Sequence, residues 1–435
     1  MSEVQASELL PDLPTPTHAK RRLIVGIGRL GPGLITGAAD DDPSGIATYS
    51  QAGAQFGLNM LWPMAFTYPL MVAVQAISAR VGRVTGQGLA YNLKQLLPSW
   101  VVMILIGGLF VANTINIGAD IAAMGASAQL LVGRGQMLFT VLFAAVSLLL
   151  QVLVPYQRYV RVLKWLTLVL LAYVAIAFTV KLDWGEVAHR FILPKLYGTS
   201  AWVTVLVAVF GTTISPYLFF WQSSEEVEIM EVKDKLPLTE TPPPAARHEL
   251  RRMGVDTIVG MGVSNIIAIF IILTTAVTLH AQGITDVQTS AQAAEALRPV
   301  VGRWAFMVFS LGVIGTGLLA VPVLAGSTAY AAAETFNWTK GLEKPFAEAR
   351  AFYGVIIVSM IIAVGVLFSP LDPIKALFWS AVLNGVTAVP IMAAMMLIAS
   401  RRDEMGVFVA TPTQRILGWI ATIVMACAAI AMFIL

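Results

Sequence analysis

Eleven stretches of the chain are apolar over about 20 residues or more, the length that crosses a ~30 Å hydrocarbon layer. In lipid every backbone amide must find its partner inside the protein, so segments of this kind can only be helices, bundled side by side. They lie near residues 23–58, 60–80, 100–131, 137–155, 161–181, 199–230, 254–280, 304–335, 351–369, 372–399 and 413–435. The whole chain agrees: 57% of its 435 residues are hydrophobic and 12% charged, with a mean hydropathy of +0.77. An ordinary soluble domain is excluded, and the fold class is an all-α polytopic membrane protein.

In such a protein the position of the basic residues carries more information than the net charge of +3. With the N-terminus inside, twenty of the 28 lysines and arginines fall on the cytoplasmic side and seven outside, with Arg29 in the first span. This bias places the N-terminus in the cytoplasm and the C-terminus outside. Nothing points to nucleic acid or to a required protein partner; the partner is the bilayer. The single cysteine, Cys427, forms no intrachain disulfide. Residues 1–19 lack the basic and apolar regions of a signal peptide and read as a disordered cytoplasmic tail.

The first and sixth spans are long, and each is interrupted by a proline: Pro43, after Asp40, Asp41 and Asp42, and Pro216, in FGTTISPYLFFWQ. Five positions separate them, so they run in opposite directions. Topology of this kind is the mark of a five-plus-five inverted repeat whose discontinuous first helices form a midplane site. The corresponding division is 20–181 for the first repeat, 182–400 for the second with a flexible cytoplasmic linker at 233–252, and 401–435 for a peripheral eleventh span.

A proline within a membrane helix frees carbonyls, which need a partner, and a cation is one. Asp42 precedes Pro43 and is pushed off helical dihedrals; Gly45 lets an ion or a backbone come close. In the sixth span Gly211 and Pro216 bracket Thr212, Thr213, Ile214 and Ser215, a source of carbonyls and hydroxyls. Opposed breaks of this type make an oxygen cage around a carboxylate. Plain proline kinks, with the aspartates in an interfacial loop, are the alternative. A carboxylate inside a membrane span costs ~2.5–3.5 kcal/mol on insertion scales, which favours a functional Asp42. Adjacent helical side chains diverge by about 100°, so Asp40 and Asp41 are expected to line a water-filled approach rather than share one ion.

DPSG in the first break, SP in the sixth, and GADIAAMG (118–125) in the third span resemble the NRAMP family of divalent-metal transporters, over nearly all of residues 23–435. The resemblance implies the LeuT-like fold with an added eleventh helix. It also implies that Asp42 is the metal carboxylate, that Ala39 and Thr212 offer carbonyls, and that Ser215 stands where the family has methionine. Asn384 in the tenth span stands near a family glutamine, or else makes an ordinary interhelical bond. The departures carry information too: Gly45 replaces an asparagine, Tyr217 a histidine, and Ala123 an acidic residue, while Asp120 is kept. Loss of the thioether favours oxygen-seeking hard cations, and room for water suits magnesium. These changes resemble the NRAMP-related magnesium transporters and imply transport without protons, with Tyr217 and Asp120 as the coupling candidates to test. Asn113, Asn116 and Asn265 read as interhelical glue, and Glu225, Glu226 and Glu228 as an acidic exit or a solvated helix end.

The expected activity is movement of magnesium or manganese into the cytoplasm of a bacterium across its inner membrane. A proton-coupled manganese or iron carrier is the alternative, and an organic-substrate symporter on the same fold ranks below it. No nucleophile–base pair or metal triad supports an enzyme, and no cofactor beyond the transported cation is called for.

Overall fold

Prolines open most of the long helices, where a missing N–H costs nothing. The computed structural model describes residues 31–163, 165–175, 179–180, 182–366 and 372–435. In chain order its principal helices are α1 (Pro32–Asp40), α2 (Pro43–Phe56), α3 (Trp62–Thr85), α4 (Leu89–Leu96), α5 (Ser99–Val132), α6 (Gln136–Leu153), α7 (Tyr156–Leu163), α8 (Ser200–Thr213), α9 (Pro216–Val232), α10 (Pro243–Thr278), α11 (Ala305–Phe336), α12 (Arg350–Val366), α13 (Pro373–Ser400) and α14 (Pro412–Ile434). No strand occurs among the described residues.

Eight segments in this set are long and apolar enough to cross a bilayer by length and composition. The broken pair α1–α2 and the shorter α12 account for two further expected spans. The expected fifth span, 161–181, is described only in part, as short helical pieces. The expected tail, 1–19, lies outside the described residues.

Burial separates the bundle's centre from its lipid face. In the broken sixth span, Ser200–Val232, 94% of the most apolar window is buried, against 22% for α6 and 28% for α14. The helix expected to be peripheral, α14, turns Ile416, Ile423, Ile430 and Phe433 outward. An apolar residue facing outward on such a helix has lipid as its solvent.

Two close approaches set the centre. Along α1, Gly33 and Gly37 lie against the backbone of α10: a Cβ on Gly37 would stand 2.2 Å from the Gly260 carbonyl, and one on Gly260 2.2 Å from that of Gly33. Small residues that let backbones meet are how membrane helices gain packing without a hydrophobic drive. The start of α1 has no side-chain cap of its own. Instead Asp256, on α10, accepts from the Gly33 N–H at 2.8 Å and supplies the orphan amides with a partner from another helix. At the second break Gly211 of α8 meets the Ala381 carbonyl and Gly385 amide of α13, where a Cβ would stand 2.0 and 2.4 Å away.

One segment differs from expectation. The stretch 233–252, read as a flexible linker, is a connection with a 3-10 turn at Leu238–Glu240 followed by the first turns of α10, which starts at Pro243. The run PPAARHELRR begins with helix-starting prolines and continues in good helix formers. Lys235 and Arg252 also pair with Glu249, at 2.5 and 3.1 Å, which ties the segment down.

Gly37→Val is expected to force α1 and α10 apart and to destabilise by about 1–3 kcal/mol, read as a lower unfolding midpoint in detergent. Gly107→Ala, exposed on α5 with nothing within 4 Å of its added Cβ, is the matched control. It should leave the midpoint unchanged or slightly raised.

Candidate functional site

Between α1 and α2 the helix stops for Asp41 and Asp42. Asp41 has φ −83° and ψ 40°, and Asp42 is extended, with φ −66° and ψ 169°, as the residue before a proline must be. Asp42 is the N-cap of α2. Its Oδ1 accepts from the Ser44 hydroxyl at 2.6 Å and from the Gly45 N–H at 2.7 Å, a cap of the kind that contributes about 1 kcal/mol. Its Oδ2 is held far more loosely, by the Asn116 amide N–H at 3.2 Å and the Tyr217 hydroxyl at 3.4 Å. The carboxylate is therefore divided: one oxygen fastens the helix, and the other faces the gap between the breaks.

The sixth span breaks likewise. Helix α8 ends at Thr213 and α9 starts at Pro216, with Ser215 extended between them, φ −84° and ψ 135°. The two breaks touch. Tyr217 reaches across to the Ala39 carbonyl, freed at the end of α1, at 3.2 Å. Tyr49 and Thr213 share a hydrogen bond of 3.0 Å, and a Cβ on Gly45 would lie 3.2 Å from the Asp40 carbonyl and 3.3 Å from Thr212 Oγ1. A side chain at position 45 would thus enter the seam between the two half-helices.

Asp42, Ala39, Gly45, Thr212, Ser215 and Tyr217 are brought together, but not all as expected. The Ser215 hydroxyl turns back to the Gly211 and Thr212 carbonyls, at 2.6 and 2.9 Å, and so occupies the carbonyl that Thr212 was expected to offer. Asp40 and Asp41, expected along a water-filled approach, are enclosed in this structure. Both are buried, and both lie against the Ser264 hydroxyl of α10, at 2.6 and 3.0 Å. The cause is tertiary: α1 packs so closely on α10 that its last turn cannot reach solvent. Asn384 is fully buried beside the Gly211 contact, and neither its amide nitrogen nor its oxygen has a hydrogen-bond partner. Asp120 is fully buried on α5, with both carboxylate oxygens unpartnered.

Among the described residues no group of three or more His, Cys, Asp or Glu side chains assembles to hold a metal. A cation at the breaks would be held by one carboxylate and neutral oxygens. An apolar cleft lined by Pro43, Ile46, Ala47, Phe309, Val313 and Leu377 adjoins the start of α2.

Three features escaped the sequence reading. Ser44 supplies half of the Asp42 cap; an Asp-Pro-Ser-Gly helix start, with a hydroxyl two residues past the cap, was the available signal. Asn116, read as interhelical glue, contacts Asp42, and its position four residues before Asp120 puts both on one face of α5. Glu228 is neither an exit lining nor a solvated end. It is buried, accepts from the Tyr330 hydroxyl and from the Glu343 N–H at 2.7 Å, and ties α9 to α11 and the loop that follows.

Comparison with known proteins bears on this geometry. The chain is 26% identical over 406 residues to the divalent metal cation transporter MntH of Klebsiella pneumoniae (strain 342), covering 91% of each. It is 23% identical over 407 residues to the protein of that name from Caldanaerobacter subterraneus subsp. tengcongensis, covering 89% of this chain and 88% of that one. In structure it resembles the Eremococcus coleocola manganese transporter, with a TM-score of 0.71 at 16% identity over 96% of this chain and 88% of that chain. It also resembles Mhp1, a nucleobase-cation-symport-1 family transporter, with a TM-score of 0.53 at 16% identity over 92% and 93%. Residues 33–435 match the family described as natural resistance-associated macrophage protein-like. With its broken first and sixth spans and the fold of those transporters, the chain belongs to the Nramp family.

Proposed function

We propose that the chain carries divalent metal cations across a membrane by alternating access to a site at the two breaks. The observation that carries this reading is the divided carboxylate of Asp42, buried in the seam between two interrupted helices with one oxygen only loosely engaged. Ala39 and Thr212 supply the second lone pair of carbonyls that already accept from Tyr217 and Ser215, Asn384 supplies an amide, and Gly45 and Ser215 are the small side chains that leave space for the ion and its water. This is a transporter and not an enzyme, and its cargo is substrate, with no cofactor required. The names of its relatives, divalent metal cation and manganese transporters, support the cargo class. The bacterial relatives support a plasma-membrane location, with the N-terminus in the cytoplasm as the lysine and arginine bias implies. The repeats are 20–181 and 182–400, with 401–435 outside them.

Within that class we place magnesium and manganese ahead of iron. Hydroxyl, carbonyl, amide and carboxylate oxygens, with no sulfur or imidazole, suit hard cations, and a site with few side-chain ligands lets magnesium keep part of its water. Transport is uncoupled to protons in this reading, because Tyr217 and Ala123 stand where the family carries titratable groups. The proton-coupled alternative has one specific observation behind it: Asp120, buried with both oxygens unpartnered, is an intramembrane carboxyl and so a candidate proton relay.

Asp42→Ala is expected to abolish uptake of magnesium and manganese into liposomes while the protein stays monodisperse. Full uptake by a folded Asp42→Ala protein would sink the assignment.

Ser215→Met should raise affinity for manganese or cadmium and weaken magnesium. It places sulfur at the break and releases the Gly211 and Thr212 carbonyls from the serine hydroxyl. Calorimetric titration with each ion reads the ratio, and an unchanged ratio would separate Ser215 from the cation.

Uptake driven by an inward magnesium or manganese gradient should acidify dye-loaded liposomes no more than protein-free controls do. Acidification that tracks metal and vanishes in Asp120→Asn would overturn the uncoupled reading.

A further inference from the structure

The loosely held oxygen of Asp42 faces an amide whose own partner is ambiguous. Asn116 is fully buried on α5. Its Nδ2 donates to Asp42 Oδ2 at 3.2 Å, and its Oδ1 lies 2.7 Å from the Ser380 hydroxyl of α13. Ser380 Oγ is equally close, at 2.7 Å, to the Leu377 carbonyl of its own helix. A hydroxyl has one proton and can accept as well as donate. If Ser380 donates to Leu377, its lone pair is free to accept an N–H. The Asn116 amide can then turn over without losing a hydrogen bond at Ser380: Nδ2 goes to Ser380, and Oδ1 takes its place opposite Asp42 Oδ2.

With no ion present that second arrangement sets two oxygens face to face and is disfavoured. With a cation between them it becomes the better one. The spacing fits: neighbouring oxygens of an octahedral magnesium with 2.0–2.1 Å bonds are about 2.9 Å apart, and a slightly larger ion spreads them further. The Asn116–Asp42 separation of 3.2 Å is close to such an edge. In the ion-free protein the amide N–H therefore stands where a cation would stand, as donor to the same carboxylate oxygen.

We infer that Asn116 is a cation ligand recruited by rotation of its amide, with Ser380 as the positioning residue that accepts the displaced N–H. This rests on the divalent-cation reading above. It adds a neutral oxygen from the third span to the two breaks and makes α13 sense occupancy through Ser380. The Tyr217 hydroxyl, shared between Asp42 and the Ala39 carbonyl, needs no such reversal, because its proton can remain on Ala39 when the ion takes Oδ2.

A ligand role and a purely structural role as amide donor part company in the variants. Manganese and magnesium binding is measured by calorimetry on the purified full-length protein and on Asp42→Ala, Asn116→Leu, Asn116→Asp, Ser380→Ala and the Asn116→Asp/Ser380→Ala pair. The expected result is at least a tenfold rise in Kd for Asn116→Leu and a Kd equal to or tighter than wild type for Asn116→Asp, which keeps an oxygen and needs no rotation. Ser380→Ala should weaken binding several-fold in the wild-type background and have no effect in the Asn116→Asp background. If Asn116→Leu fails to fold, Asn116→Asp and Ser380→Ala still decide. Wild-type affinity in folded Asn116→Leu, loss of binding in Asn116→Asp, or an equal effect of Ser380→Ala in both backgrounds would overturn the inference. No saturable divalent binding by the wild-type protein would instead remove the transport reading on which it rests.

Discussion

The arrangement depends on what is done with a carboxylate that has been taken out of water. An isolated buried charge is too costly to keep, so it must be hydrogen-bonded, paired or neutralised. Asp42 meets this demand on one side only. Its Oδ1 is held by the Ser44 hydroxyl and the Gly45 amide and starts a helix; its Oδ2 has two long contacts. Pro43 makes the division possible, because it forces Asp42 into the extended backbone that an N-cap requires. A break that in hydrocarbon would be a defect becomes tolerable because a second break lies against it, with Tyr217 closing onto the Ala39 carbonyl.

Close packing places the breaks together. Helices α1 and α8 end at the seam, and each approaches a partner helix through a glycine of its own, Gly37 of α1 against α10 and Gly211 of α8 against α13. The far end of α1 is anchored by Asp256, and the far end of α9 is tied by Glu228 to Tyr330 and the loop after α11. The half-helices α1 and α9 are thus each fixed at the outer end by a carboxylate from, or directed to, another element, while their inner ends meet at the seam.

Much of this was legible in the sequence, for identifiable reasons. The spans were legible because lipid admits one kind of segment, and the expected stretches 199–230 and 372–399 correspond to Ser200–Val232 and Pro373–Ser400. The breaks were legible because proline and aspartate are both costly there. What Asp40 and Asp41 face was not: consecutive residues point in different directions, and the helix they meet is decided by the glycine contacts of α1 with α10. Asn116 was passed over for a related reason. An asparagine in a membrane helix has many potential partners, and only the packing shows that its amide reaches Asp42 and Ser380. The helical start of α10 was hidden by its prolines, which in PPPAAR mark a helix beginning rather than a linker.

Around the breaks stand four buried carboxyl groups, those of Asp40, Asp41, Asp42 and Asp120. Among the described residues none of them forms an ion pair with a lysine, arginine or histidine; the ion pairs lie elsewhere, as at Lys340–Glu334 and Arg252–Glu226. One serine hydroxyl stands between Asp40 and Asp41, and its single proton can serve only one of them at a time. Charge in such a place has to be balanced by something that the polypeptide does not provide. Protons bound to the carboxyls would balance it, and so would a divalent cation. The two would compete for the same oxygens. Asp42 is the group best shaped to meet a cation: Ser44 and Gly45 hold its Oδ1, and its Oδ2 has only long contacts at the seam. Asp120 has no cationic partner among the described residues, so whatever charge a cation at Asp42 leaves unbalanced rests on it.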